Sequence, residues 1–267
     1  ECSSLTEIII PSSVNSIGNY AFEKCLSLRE IKIFSSVKSI GDHTFYKCSS
    51  LTEIIIPSSV NSIGIYTFNG CSSVKKISIP SSVTSIGKDA FYGIQSLIIE
   101  GTIQNIYDNM FKGCSTLTQI TIPSSVITIG NDVFSGCTAL KNIEFEMPSS
   151  LKSIGKNCFS ECKSLVQLLI PSSVTSYELE SFKEFKSLTQ ISIPSSVNSI
   201  GDNTFKGCSS LRELIIPSSV ISIGNDVFSG CTALKNIEFE IPSSLKLIGK
   251  NCFSECKSLV QLLIPSS

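Results

Sequence analysis

The twelve cysteines are the side chains with the most varied potential chemistry in this 267-residue sequence. An even number of thiols suits a disulfide framework in a secreted chain. Their positions favour a different interpretation, because most of them recur three residues after a phenylalanine, a place where Ile94 and Phe185 also occur. A position that accepts isoleucine or phenylalanine is an apolar packing site, and free cysteine behaves as a small buried hydrophobe. We therefore predict a column of buried thiols, formed by Cys25, Cys48, Cys71, Cys114, Cys137, Cys162, Cys208, Cys231 and Cys256, with Cys2 in the same place.

Two cysteines lie outside this column. Cys158 and Cys252 precede Cys162 and Cys256 by four residues each. Each pair is a candidate disulfide or metal site, but two ligands without a nearby histidine make a poor zinc site. The redox state of the two pairs stays open at this point.

The other reactive residues form no catalytic arrangement. His43 is the only histidine, and its polar neighbours favour a solvated or capping side chain over a general base. The serines have no repeated histidine or lysine base beside them. Glu178, Glu180 and Glu184 form an acidic patch that we interpret as solvated carboxylates, with a Ca²⁺ site as the alternative. We predict no catalytic residues, no metal and no cofactor.

The elements that must position these residues come from an internal repeat. Phe22, Phe45, Phe68 and Phe91 are 23 residues apart. The period continues, with small slips, at Phe111, Phe134, Phe159, Phe182, Phe205, Phe228 and Phe253. A fixed period of about 20–30 residues is typical of a solenoid, in which each unit packs only on its neighbours. We predict one elongated solenoid domain over residues 1–267, with about eleven repeats.

Each repeat has three parts. The first, L-x-x-I-x-I-P, is short, alternating and rich in β-branched residues, which indicates a strand that the proline ends. The second, S-S-V-x-S-I-G, predicts a turn and a short extended piece closed by a glycine at positive φ, as at Gly41. In the third, residues such as Asp42, Asn131, Asp202 and Asn225 suit the cap of a helical turn. We predict a parallel sheet on the concave face and short turns, 3-10 turns or helical turns on the convex face.

A second, longer repeat is superimposed on the first. Residues 126–173 and 220–267 match at all but three positions, with an offset of 94 residues. Both copies carry a two-residue insertion, at Glu144-Phe145-Glu146 and Glu238-Phe239-Glu240. Departures from the repeat around 97–101 and at Tyr177-Glu178 predict local distortion. The pattern indicates that a block of four repeats was duplicated as a piece.

Composition and chain ends bound the function. The net charge of −1 and pI of about 6.0 provide no electrostatic footprint for nucleic acid or an anionic membrane. No apolar run approaches the roughly 18 residues of a membrane span. The chain begins and stops within a repeat and opens without a signal peptide, so we expect a fragment that lacks terminal caps. Its uncapped ends are expected to permit self-association.

The full motif is L-x-x-I-x-I-P-x-S-V-x-x-I-G-x-x-A-F-x-x-C-x-S, which Leu5 to Ser27 meet almost letter for letter. This repeat resembles the BspA-type leucine-rich repeats of surface proteins in anaerobic bacteria and parasitic protists. The resemblance covers nearly the whole chain. It implies a leucine-rich-repeat solenoid, a cell-surface or secreted location, and adhesion to host or matrix proteins.

The exposed positions of the predicted strands form the candidate binding surface. In L-x-x-I-x-I the second, third and fifth residues should lie on the concave side, and the fifth alternates between aliphatic and polar residues. Exposed aliphatics have two explanations: they suit a β-sheet as scaffold, or they are apolar anchors of a protein-binding surface. The candidate binding residues are Ile9, Lys32, Glu53, Ile55, Lys76, Gln119, Gln167, Leu169, Arg212, Glu213 and Ile215.

Three functions are compatible with these observations. We favour a non-enzymatic protein-interaction or adhesion module that binds host or matrix protein through the concave face. A structural spacer with no ligand of its own is the first alternative. Glycan binding is a weaker alternative, because the predicted concave face has few aromatic residues and the chain has no tryptophan.

Overall fold

The computed structural model describes residues 2–74, 76–87, 89–94, 96–100, 103–177 and 182–264. Within these ranges the chain is a parallel β-solenoid of stacked coils, and no described residue is helical. Each regular coil contributes one strand from L-x-x-I-x-I and a second, two-residue strand from S-I-G. The predicted solenoid with parallel strands is therefore confirmed. Of the alternatives predicted for the other face, short turns occur, and no described residue forms a helical turn.

The strands are numbered along the chain, so the strands from L-x-x-I-x-I carry odd numbers and form the long-strand ladder. Pairing is parallel and in register: Ile8 pairs with Ile31, which pairs with Ile54. These strands are β1 (Glu7–Ile10), β3 (Glu30–Ile33), β5 (Glu53–Ile54), β7 (Lys76–Ile79), β9 (Ser96–Ile99), β11 (Gln119–Ile122), β13 (Asn142–Phe145), β15 (Gln167–Leu168), β17 (Gln190–Ile191), β19 (Glu213–Ile216) and β21 (Asn236–Phe239).

The even-numbered strands form a second, short-strand ladder. Its isoleucines point into the interior, as Ile40 and Ile63 do. These strands are β2 (Ser16–Ile17), β4 (Ser39–Ile40), β6 (Ser62–Ile63), β8 (Ser85–Ile86), β10 (Asn105–Ile106), β12 (Thr128–Ile129), β14 (Ser153–Ile154), β16 (Ser176–Tyr177), β18 (Ser199–Ile200), β20 (Ser222–Ile223) and β22 (Leu247–Ile248).

The interior consists of columns of identical residues. The marker phenylalanines stack ring on ring, with centroids 5.6 Å apart between Phe45 and Phe68 and an interplanar angle of 6°. Leucines that precede the long strands, such as Leu51 and Leu140, are fully buried. Each coil places the same type of side chain at the same position, so apolar residues pack against equivalent residues of the coils before and after. One hydrophobic core therefore runs through the described coils.

The third part of each repeat forms stacked turns instead of a helix. The N–H of Tyr20 donates to the Asp42 carbonyl of the next coil at 2.8 Å, and that of Phe22 donates to Thr44 at 2.9 Å. The N–H of Cys25 donates within its own coil, to Phe22, at 3.3 Å. Tyr20 has a left-handed φ of 59°, which a helix does not allow. Turns are favoured over a helix because they leave alternate N–H groups able to donate to carbonyls of the next coil. In a helix all of these N–H groups would be bonded within the segment.

The predicted helix-capping residues act between coils. The Asp42 carboxylate accepts the backbone N–H of Ile65 in the next coil at 2.7 Å. A cap would instead have bonded to an N–H two or three residues later in the same segment. The same inter-coil bond joins Asn131 to Lys156, Asp202 to Asn225 and Asn225 to Lys250.

The glycine that closes the second part does not have the predicted positive φ, so that prediction is wrong. Glycine is required there because the backbone of the preceding coil comes too close for a side chain. A Cβ added to Gly64 would lie 2.5 Å from the backbone nitrogen of Asp42 in the preceding coil. That distance is far inside van der Waals contact, so only glycine lets the coils stack this closely. The glycines with positive φ are instead Gly70, Gly93, Gly113, Gly136, Gly207 and Gly230, two residues after the marker phenylalanine.

The two irregular places divide the stack. Among the described residues, the stacked phenylalanines form three runs: Phe22 to Phe91, Phe111 to Phe159, and Phe182 to Phe253. The short-strand ladder likewise runs from β2 to β8, from β10 to β16 and from β18 to β22. Both interruptions adjoin the places where the sequence departs from the repeat, and the local distortion predicted there stays a prediction, because residues 101–102 and 178–181 lie outside the described residues. Of the predicted acidic patch, Glu178 and Glu180 lie outside the described residues.

The insertion in the duplicated block lies just after the long strand. Phe145 still pairs with Ile122, so the extra residues are Glu146 and Met147. The Glu146 carboxylate accepts the backbone N–H of Ser124 at 3.1 Å, and Met147 is 70% exposed. The second copy repeats the arrangement at Glu240 and Ile241. The insertion therefore adds an apolar residue at the edge of the long-strand ladder.

Candidate functional site

The long-strand face is the outward surface of the odd-numbered strands. Strand alternation buries the fourth and sixth residues of L-x-x-I-x-I and leaves the third and fifth exposed, as the burial of Leu214 and exposure of Ile215 show. Parallel pairing in register places equivalent residues side by side, so Glu213 lies beside Asn236 and Ile215 beside Glu238. The exposed residues consequently form columns that run across the strands, about 4.8 Å from one coil to the next.

The structure brings the predicted binding residues together on this one face. The side chain of Lys76 lies outside the described part of the structure, although its backbone belongs to β7. The other ten are exposed: Ile9, Lys32, Glu53, Ile55, Gln119, Gln167, Leu169, Arg212, Glu213 and Ile215. Their common location follows from the repeat register, and their role in binding stays a prediction.

Large aliphatic side chains in the fifth column are open to solvent. Ile55 is 67% exposed, Ile9 54%, Ile215 53% and Leu169 46%. The coils pack through their buried neighbours, so these four side chains contribute little to the core. Apolar groups of this size, spaced along one column and separated by polar residues, are what a protein partner can bury.

Charged residues accompany the aliphatics. Glu7, Glu30 and Glu53 are paired in register in the third column, and Lys32 lies 3.2 Å from the carboxylate of Glu30. Arg212 precedes Glu213 at the start of β19 and is also exposed. Ion pairs this exposed contribute little to the stability of the fold. The fold therefore does not depend on these charged side chains, and they can instead contact a partner.

Three adjoining depressions follow the long-strand face from β13 to the end of the described chain. Leu169 and Ser192 line both of the first two depressions, and Asn236 and Glu238 line both of the last two. Met147 and Ile241 form part of their walls. Sequence reasoning did not select Met147 and Ile241 as site residues, although the shared insertion marked their position.

The cysteine column has a structural role. Most thiols of the column donate to the carbonyl of the marker phenylalanine in the preceding coil, as Cys48 does to Phe22 at 3.1 Å and Cys137 does to Phe111 at 3.2 Å. No disulfide joins the cysteines of the structure, and the predicted buried column is confirmed from Cys25 to Cys231. Cys2 is exposed and Cys256 is half-buried, so the two ends of the column depart from the prediction.

Burial changes the acidity of these thiols. Desolvation in the apolar core raises the pKa of Cys48 to about 12 and that of Cys208 to about 12. It also raises the pKa of Cys252 and of Cys256. A raised pKa keeps the group as a neutral thiol at physiological pH, and the thiolate is the nucleophile and the metal ligand. The column is therefore unsuited to catalysis.

We expect thiol reactivity to depend on folding. At about pH 8, iodoacetamide should label the exposed Cys2 quickly and leave the buried thiols unmodified, because those are both shielded and neutral. In a denaturant without reductant, all twelve cysteines should become labelled. Mass spectrometry of the alkylated chain gives the count, and four or more intramolecular disulfides would contradict the buried column.

The remaining candidates are also structural. The ring of His43 stacks on Tyr20 at 4.8 Å and contacts Tyr66 at 5.1 Å. The side chain therefore packs among aromatic rings and does not have the predicted solvated or capping role. The Ser59 hydroxyl donates to the Val37 carbonyl of the preceding coil at 2.6 Å. In the described ranges, no three His, Cys, Asp or Glu side chains gather as a metal site would require. No helix with the length and apolar character of a membrane span occurs among the residues that the structure describes.

The chain is similar to known repeat proteins along its whole length. The sequence pattern of the BspA type leucine rich repeat region matches residues 1–118, 93–212 and 178–267. A leucine-rich repeat protein from Bacteroides ovatus is 32% identical, with a TM-score of 0.58 over 97% of this chain and 78% of that one. The T. pallidum leucine-rich repeat protein is 28% identical, with a TM-score of 0.50 over 62% of this chain and 78% of that one.

A leucine rich cell surface protein from Faecalibacterium prausnitzii is 29% identical, with a TM-score of 0.44 over 90% of this chain and 81% of that one. A search among characterised proteins finds no significant match.

Proposed function

Because the chain belongs to the BspA-type leucine-rich repeat family, we propose that it is a protein-binding segment of a cell-surface or secreted protein. Leucine-rich repeat proteins of this type are generally surface or protein-interaction modules, and solenoids of the family are generally not enzymes. We propose that this chain is likewise a protein-interaction module and not an enzyme, and that it binds its partner through the long-strand face. The proposed partner is a protein of a host cell surface or of the extracellular matrix.

The observation that supports this proposal most strongly is the set of exposed aliphatics spaced along the fifth column. Ile55, Leu169 and Ile215 have polar neighbours and no packing role that the fold requires. Hot spots of protein interfaces have this composition, in which apolar anchors are surrounded by groups that exclude water. The family supplies the cell-surface location in this proposal.

A triple substitution tests the proposal. Changing Ile55→Ser, Leu169→Ser and Ile215→Ser should weaken binding to host cells or purified matrix proteins by at least about 100-fold, as expected when several hot spots are removed. The thermal midpoint should change little, because these side chains already face water. Binding is measured by surface plasmon resonance and by cell adhesion.

A matched control uses aliphatic residues of the same types and similar exposure elsewhere. Leu26, Ile65 and Ile221 are 49%, 41% and 45% exposed, and none lies in an L-x-x-I-x-I segment. Replacing these three with serine should leave binding unchanged. If the control triple abolished binding while the first triple did not, the contact would lie on another face. If neither triple affected binding to any surface protein, the segment would be a spacer.

A further inference from the structure

The three depressions on the long-strand face form a single groove, which we call the acidic groove. Its floor is the fifth column from β13 onward, which reads Glu144, Leu169, Ser192, Ile215, Glu238 and Leu263. Six coils contribute to it, so it extends over about 24 Å, or five inter-strand spacings. An extended peptide of about seven residues has the same length.

The groove lining carries carboxylates without compensating cations. Glu144, Glu213, Glu238 and Glu240 line it, and no lysine or arginine does so among the described residues. The nearest basic residues in sequence are Lys141, Arg212 and Lys235, which lie at the strand starts, each three residues before a residue of the floor. Arg212 is three residues before the floor, or about 10 Å along the strand, which is about a Debye length at physiological salt. The groove therefore presents a negative potential to an approaching chain.

The duplication sets a spacing within the groove. Glu144 and Glu238 are equivalent residues of the two blocks, 94 positions and four coils apart. Their separation is about 19 Å at about 4.8 Å per coil. In an extended peptide, side chains that are six residues apart are on the same face and about 20 Å apart. Two basic residues in that spacing would each reach one glutamate.

The aliphatics fit between these two points. Leu169 is one coil beyond Glu144, and Ile215 is one coil before Glu238. Measured along the groove, Leu169 is about 5 Å and Ile215 about 14 Å from Glu144. In an extended peptide, the second and fourth residues after the first basic residue are about 7 and 14 Å from it, which is a similar spacing. These two positions would bury aliphatic side chains against Leu169 and Ile215.

We propose that the acidic groove binds an extended polypeptide segment of its partner, with two basic residues six positions apart and aliphatic residues at the second and fourth positions between them. The proposal rests on the proposed protein-binding function and specifies the chemistry of the partner. Charge complementarity selects the basic ends, and burial of the aliphatics supplies apolar contact.

A set of fluorescent peptides tests this proposal on the intact chain. The probe is Lys-Ser-Val-Ser-Val-Ser-Lys with blocked ends, and its affinity is measured by fluorescence anisotropy at low salt. A peptide with glutamate in place of both lysines should show no measurable binding. A peptide with both lysines moved to adjacent positions at one end should bind about tenfold more weakly, because it can reach only one of the two carboxylates. Equal binding of the glutamate peptide would overturn the proposal.

Variants of the chain locate the peptide. Glu144→Gln combined with Glu238→Gln should reduce affinity for the lysine probe about tenfold, and added salt should remove most of that difference. The matched control is Glu161→Gln with Glu255→Gln, which are equivalent residues of the same two blocks and pair with Lys163 and Lys257 on the turn segments. This control should leave affinity unchanged, and an equal loss in both double variants would overturn the proposal.

The outcomes separate this proposal from the proposed function. If the lysine probe fails to bind but binding of protein partners still depends on Ile55, Leu169 and Ile215, the basic-peptide proposal is wrong and the binding function stands. If the probe binds as expected, and its affinity falls only in the groove variant, the groove and its peptide chemistry are established independently of any particular partner.

Discussion

Replacing Phe134 with alanine is expected to lower the free energy of unfolding by roughly 3–5 kcal/mol, the usual cost of removing a buried phenylalanine ring. Phe134 has no exposed surface, and its ring stacks between Phe111 at 5.7 Å and Phe159 at 6.0 Å. Neither neighbouring ring can move far into the gap, because each is held by its own coil, so most of the cavity should remain. Urea unfolding followed by circular dichroism measures the loss.

The effect should also be local. Contacts in a solenoid join neighbouring coils, so hydrogen exchange should accelerate most in the coils of Phe111 and Phe159 and least in the distant coil of Phe45. Phe34→Ala serves as the matched control, because Phe34 is 48% exposed and should cost under about 1 kcal/mol. A cost that small for Phe134→Ala would contradict its place in the core column.

Substitution of Gly155 by alanine is expected to destabilise the fold by about 3 kcal/mol or more, a large effect for one added methyl group. The new Cβ would meet the backbone of Gly130 and lie 2.5 Å from the backbone nitrogen of Asn131. Both contacts are with main chain that is hydrogen-bonded between coils, so relief would require the two coils to separate. The thermal midpoint and the urea midpoint should both fall.

Gly18 provides the control for this substitution. It occupies the same place in the repeat, and an added Cβ there has nothing within 4 Å. Gly18→Ala should be neutral or slightly stabilising, because alanine reduces the entropy of the unfolded chain. If the two substitutions had equal effects, close stacking of coils would not be the reason for the glycine column.

Residue type and period were sufficient to predict the core and the strands. The phenylalanine and leucine columns, the buried cysteines, and the exposed places of Ile9, Ile55, Leu169 and Ile215 all follow from alternation within a repeated strand. Whether such a residue is buried or exposed depends on its side-chain type and on its position within the repeat. That information is fully present in one sequence.

The turn segments could not be predicted in the same way. Tyr20 and Lys24 adopt a left-handed φ, and neither residue type signals it. Asp42 has the composition of a helix cap, yet it bonds to the next coil. These features depend on which backbone groups become neighbours when coils stack, which a local pattern does not specify. The acidic groove was missed for the same reason, because Glu144 and Glu238 come together with Leu169 and Ile215 only through the register of the strands.

The thiol column also imposes an order of events on folding in an oxidising environment. In the unfolded chain the twelve thiols are accessible and ionise at ordinary pKa values, so they can form non-native disulfides. In the folded chain most of these groups are shielded and held neutral, and most thiols of the column donate to a carbonyl of the preceding coil. Folding and oxidation therefore compete, and coils that stack early protect their own cysteines. A reducing agent matters while the chain folds and becomes dispensable once the stack has closed.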